Sequence, residues 1–197
     1  VQDSSFLFYS ALTANGSMSL VADRVTSGTS SVTQSLGALT IGGSNVTLSF
    51  TSGTNVTGGG IGGVSFTGAT AMPFTTTFDV ASTSAATLGG VVSGVGGLVK
   101  ANAGSLTLSA TNTFTGLTRV DGGTLIVSNS VALQSSPFST DGLGTLQTGT
   151  AAGSVTALTL GGLTGSGAFN PVNFGSVSTL TLTVASGTSY TTSSVIT

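Results

Sequence analysis

Short apolar pieces fenced by glycine set the rhythm of the chain's second half. Leu106 and Leu108, Leu125 and Val127, Val131 and Leu133, and Leu158 and Leu160 are each two apart, which puts both side chains of a pair on one face of a strand. Val120 and the piece holding Leu143 and Leu146 read as further members. The intervening GG, DGG, NG and SG segments are turns, where glycine takes positive φ without steric cost. No stretch shows a cap followed by apolar residues at a helical period. The pattern predicts an all-β chain of short strands. A two-sheet sandwich would alternate in the same way, but abundant Gly, Ala, Ser, Thr and Val suit a solenoid, whose corners stack in register and whose interior forms ladders.

A longer period supports the solenoid. FDVASTSAATLGGVVS, starting at Phe78, aligns without gaps to LTVASGTSYTTSSVIT, starting at Leu182. Val80, Ala81, Ser82 and Thr87 recur as Val184, Ala185, Ser186 and Thr191, and Val91 and Val92 are answered by Val195 and Ile196. The second copy stops in mid-unit at Thr197, and the chain opens at Val1 with neither Met nor an export segment, so a mature form or a piece of a longer protein is expected. The expected division is residues 1–77 as an N-terminal β region, either a cap or sandwich-like, and residues 78–197 as the β-solenoid. The aromatic run FLFYS from Phe6 would suit a plug over an open end.

From Gly97 to Leu133 the chain reads GLVKANAGSLTLSATNTFTGLTRVDGGTLIVSNSVAL. Gly97, Leu98, Lys100, Gly104, Leu106, Leu108, Ser109, Asn112, Thr113, Thr115, Gly116, Thr118, Val120, Gly123, Thr124 and Leu125, with Phe114 at an aromatic position, resemble the passenger-associated transport repeat, also called the autotransporter-associated β-strand repeat. Asn102 and Ala110 depart from it where the family prefers Gly, and Ser105 where it prefers Thr. TALTLGGLTGSGAF, from Thr156, is similar to the sequence between such repeats. The resemblance implies a right-handed parallel β-helix in secreted or outer-surface bacterial proteins, often autotransporter passengers, where the repeats form a rigid stalk and assist export. It implies no catalytic residues.

Composition narrows the function. Charged residues are 4% of the chain against roughly a quarter in ordinary domains, while 39% hydrophobic residues supply enough apolar area for a fold. Arg24, Lys100 and Arg119 are the only Lys or Arg, too few for the basic patch that nucleic-acid binding requires, so no such partner is expected. No apolar run approaches the roughly 18 residues of a membrane-spanning helix. Without cysteine there is no disulfide framework.

With neither His nor Cys, catalytic Ser-His-Asp and Cys-His sets and His-based zinc sites cannot be assembled from this chain. Five aspartates remain, Asp3, Asp23, Asp79, Asp121 and Asp141, without glutamate. Glycoside hydrolysis needs two carboxyl groups roughly 5 to 10 Å apart. Asp121, sharing a strand face with Arg119, is the best candidate, yet Asp121 and Asp141 open DGG and DG turns, where Asp commonly bonds its own backbone. Lys100 would activate a serine in some hydrolases, but is read as an exposed charge near a corner. GGGIGG from Gly58 lacks the lysine and helix of a phosphate loop, and the Asp of a calcium roll, and reads as a bend. Asn15, Asn45 and Asn55 have the form of glycan acceptors, a pattern that a Ser/Thr-rich chain also yields by chance. Thr179, Thr181 and Thr183 would form an outward ladder of the kind ice-binding solenoids use, or simply a polar strand face.

The sequence therefore predicts a non-enzymatic surface protein with no catalytic, cofactor or metal site, lying outside the cell or on its outer surface. The expected partners are further copies joined end to end. A carbohydrate-binding adhesin that recognises surface glycans is the alternative, and a polysaccharide-degrading β-helix the third reading.

Overall fold

The computed structural model describes residues 10–150, 155–169, 171–172, 177 and 179–183. These residues form a right-handed parallel β-helix with no α-helix among them. The strands belong to three parallel sheets. Eight strands make the largest: β2 (Met18–Ala22), β5 (Val46–Ser52), β8 (Thr76–Val80), β11 (Leu98–Ala101), β13 (Thr118–Val120), β15 (Leu133–Ser139), β17 (Ala157–Thr164) and β18 (Thr179–Leu182). The six-stranded sheet holds β3 (Val32–Leu36), β6 (Gly62–Phe66), β9 (Ser84–Leu88), β12 (Ser105–Leu108), β14 (Thr124–Val127) and β16 (Thr145–Thr148). The smallest holds β1 (Leu12–Ala14), β4 (Leu39–Ile41), β7 (Thr70–Ala71) and β10 (Val92–Ser93).

Successive coils lie 30 residues apart where Thr47 N–H donates to Ser17, 22 apart where Gly97 N–H donates to Thr75, and 20 apart where Val92 N–H donates to Asn112. The longer early coils carry loops after β2 and β5, which pair with each other through Gly28 and Val56. A parallel sheet needs such crossovers, and here the other two faces of the coil supply them.

The interior is a set of ladders. Val64, Ala86, Leu106, Leu125 and Leu146 form one in register, and Phe66, Leu88, Leu108 and Val127 form its neighbour. Leu106, Leu108, Leu125 and Val127 are all fully buried, as alternation predicts. Phe50 and Phe78 stack with ring centroids 6.3 Å apart, and Phe66 meets Phe50 edge-on at 6.5 Å. Leu143 corrects the sequence reading: it sits in the turn after β15 and is 94% exposed, and only Leu146 points inward.

The sheets run unbroken through the expected boundary, since Phe78 lies within β8, and β8 pairs with β5 from Val46↔Thr76 to Phe50↔Val80. The aromatic run at Phe6 lies outside the described residues, apart from Ser10. Of the long repeat, Phe78 and Leu182 share the eight-stranded sheet, and residues 184–197 lie outside the described part.

Candidate functional site

Three polar side chains of residues 98–127, those of Lys100, Asn112 and Thr118, are turned inward. Lys100 is fully buried, which overturns its reading as an exposed corner charge. It shares the parity of Leu98 on β11, and its neighbours in register are Phe78 and Val120, both core residues. A buried ammonium is costly unless its three donors are met. Here Nζ donates to the Ala101 carbonyl at 2.7 Å, the Asn102 carbonyl at 2.8 Å and, on the next coil, the Gly122 carbonyl at 3.1 Å. Burial lowers its pKa to about 8, against an opposing pull from the Asp79 carboxylate.

Asn112 makes a second tie. Its Oδ1 accepts the Val92 N–H at 2.9 Å from the preceding coil, while Nδ2 donates to the Ala132 carbonyl at 2.9 Å on the following one. One buried side chain thus fastens three coils where regular strand pairing lapses. Phe114, two residues on, enters the core beside it. Thr118 and Ser136 hydroxyls lie 2.7 Å apart inside the eight-stranded sheet, and Ser136 also donates to the Gly116 carbonyl at 2.6 Å. Gly116 packs directly on the backbone of Gly96, where any side chain would collide. Asn102 has φ 64°, so the position where the family prefers Gly is a left-handed one that Asn tolerates, and its Oδ1 accepts the Ala103 N–H at 2.8 Å.

The carboxylates are engaged differently from expectation. Asp121 pairs with Arg119, Oδ1 taking Nε and Oδ2 taking Nη2 at 2.9 Å, so the strand-face pairing holds and the bond to its own backbone does not. Asp141 reaches a neighbouring coil, accepting the Ser166 N–H at 2.7 Å and its hydroxyl at 3.1 Å, and these bonds lower its pKa. Asp23 accepts the Arg24 and Asn55 N–H groups, closing the loops after β2 and β5. Asp79 faces outward beside Ala101, and Asp3 lies outside the described residues.

In GGGIGG, Gly58 and Gly59 take positive φ in a turn, while Gly62 and Gly63 already belong to β6. Thr179, Thr181 and Thr183 are exposed; the rung beside Thr179 and Thr181 is Ala157 and Thr159, so a threonine follows at only one of these two positions. A cavity of about 40 Å³ lies among Val120, Phe138, Thr140 and Phe169, far below the several hundred Å³ of a typical ligand pocket. Among the described residues no cluster of three or more Asp is placed to hold a metal ion, and no helix is long and apolar enough to cross a membrane.

Over 90 residues, 46% of this chain, the sequence is 41% identical to the "Adhesin BmaC autotransporter" of Brucella suis biovar 1 (strain 1330), and the match spans 2% of that protein's length. No solved structure matches the chain. Residues 98–127, the segment that holds Lys100 and Asn112, match the family described as Passenger-associated-transport-repeat, so the chain carries a repeat of autotransporter passengers.

Proposed function

We propose that the chain is a non-enzymatic, structural segment of an autotransporter passenger, a rigid stalk at the cell surface or in the secreted fraction. One observation carries this reading. Two polar residues of the repeat, Lys100 and Asn112, are spent inside the helix on joining coils. The passenger repeat and the similarity to an autotransporter adhesin support the location.

At either end of the described sheet, β2 and β18 leave strand edges, and β18 carries no charge that would oppose further pairing. In the proposal these edges continue the stack, with more of the same polypeptide or with another copy. Pairing through backbone hydrogen bonds and apolar ladders is nearly indifferent to salt.

The test is to display the segment on bacterial cells within an autotransporter passenger and compare it with an Asn112→Ala version. A stalk predicts normal export of the parent and loss of its protease resistance in the variant. Equal resistance in both would contradict the role given to Asn112. The adhesive reading rests on the name of the Brucella relative, and a glycan array run beside a polysaccharide-cleavage screen separates the three readings. A stalk is silent in both, an adhesin binds without cleaving, and an enzyme cleaves.

A further inference from the structure

We infer that Asn45 is an acceptor for N-linked glycan, the one of three Asn-x-Ser/Thr sites that the fold leaves ready. This rests on surface geometry alone and is independent of the stalk reading. The three sites are Asn15-Gly16-Ser17, Asn45-Val46-Thr47 and Asn55-Val56-Thr57.

The fold sorts them. Asn55 is half-buried, its backbone N–H bound to Asp23 and its Nδ2 donating to the Arg24 carbonyl at 2.9 Å, so the nitrogen that would bond to sugar is already committed. Asn45 is exposed in the turn that opens β5, and its carboxamide has no hydrogen-bond partner among the described residues. Val46 and Leu48 are buried on either side of Thr47, which turns the Thr47 side chain outward on the same surface. Asn15, exposed as well, stands on the adjoining coil; what sets it apart is that the hydroxyl of Ser17, its sequon's third residue, already accepts the Thr47 N–H at 2.9 Å and that its carboxamide lies against Gly42. Neighbouring strands are only about 4.8 Å apart, so a glycan on Asn45 covers Asn15 and the corner holds one.

In the reaction used as the test, hexose is transferred from a nucleotide-activated donor. The bond from Asn45 Nδ2 to the anomeric carbon forms, and the bond from that carbon to the diphosphate oxygen breaks. Nucleoside diphosphate leaves with the electron pair, and the proton from Nδ2 passes to a base of the transferase. Asn45 has φ 55°, a left-handed value that Asn and Asp tolerate, so Asn45→Asp removes the acceptor while keeping the turn.

The experiment treats the folded protein with UDP-glucose and a soluble N-glycosyltransferase that accepts Asn-x-Ser/Thr, then reads intact mass and an elastase peptide map. Synthetic peptides spanning each of the three sites serve as controls for the enzyme. The expected result is hexose on all three peptides, a single hexose at Asn45 of the folded protein, and none on Asn45→Asp, which melts at the parent temperature. A folded protein that stays unmodified while its Asn45 peptide is loaded overturns the inference. So does loading of Asn55 or Asn15 ahead of Asn45.

Discussion

Lys100 stands in register with Phe78, one coil away in the eight-stranded sheet, and both side chains are fully buried. A cation therefore occupies a rung of an aromatic and aliphatic ladder. It is tolerated because the strand ends there, and the turn at Ala101 and Asn102 aims two carbonyls back at the ammonium while the next coil supplies a third.

This burial fixes a pH dependence. The folded-state pKa of about 8 lies below the ordinary 10.5, so between these values the unfolded chain holds the proton that the folded chain has released. Stability then rises as pH increases from about 8 to 10.5, by at most about 3 kcal/mol. The gain is reduced because a neutral amine brings two donors to three carbonyls. Urea midpoints of the parent and Lys100→Met across that range should show a rising difference in favour of the parent; parallel curves would refute the assignment.

Asn112 gives a sharper test of the coil ties. Asn112→Ala leaves the buried Val92 N–H and Ala132 carbonyl without their partner and should cost about 2 to 4 kcal/mol. Asn112→Asp keeps an acceptor for Val92 but sets a carboxylate against the Ala132 carbonyl. Its folded-state pKa is raised, so the variant is most stable below the ordinary Asp pKa of about 4, when the protonated carboxyl donates, and loses that stability as pH rises above it. A variant with the parent's pH profile would show that the side chain does not bridge the coils.

Leu108 and Leu143 form a contrasting pair. Leu108→Asp places an unpaired charge inside the ladder and should abolish the cooperative melting transition, whereas Leu143→Asp, in a 94% exposed turn, should stay within about 0.5 kcal/mol of the parent. Circular dichroism melts of the two decide it, and equal effects would mean that the facing is wrong.

Most of the fold was legible because period-two alternation survives in parallel strands: Leu106, Leu108, Leu125 and Val127 go where their spacing sends them. The same rule applied to Leu98 and Lys100 points the lysine inward, and only the habit of placing charges outside hid it. Leu143 misled in the opposite direction, since it lies three positions before Leu146 and a strand face needs an even spacing. Partners across coils were not legible at all. Asp141 finds Ser166 and Asn112 finds Val92 and Ala132 because coil length sets the register, and coil length here varies between 19 and 31 residues.

The central claim, that buried side chains of the passenger repeat lock adjacent coils into one rigid stack, is tested most directly by hydrogen exchange of the intact protein read by mass spectrometry. The account predicts that peptides covering Val92 to Val127 exchange only through global unfolding, and that Asn112→Ala releases the Val92 peptide into faster, local exchange while peptides around β5 keep their protection. Exchange of the 92–127 segment at free-peptide rates in the parent, or an unchanged Val92 peptide in the variant, would contradict it.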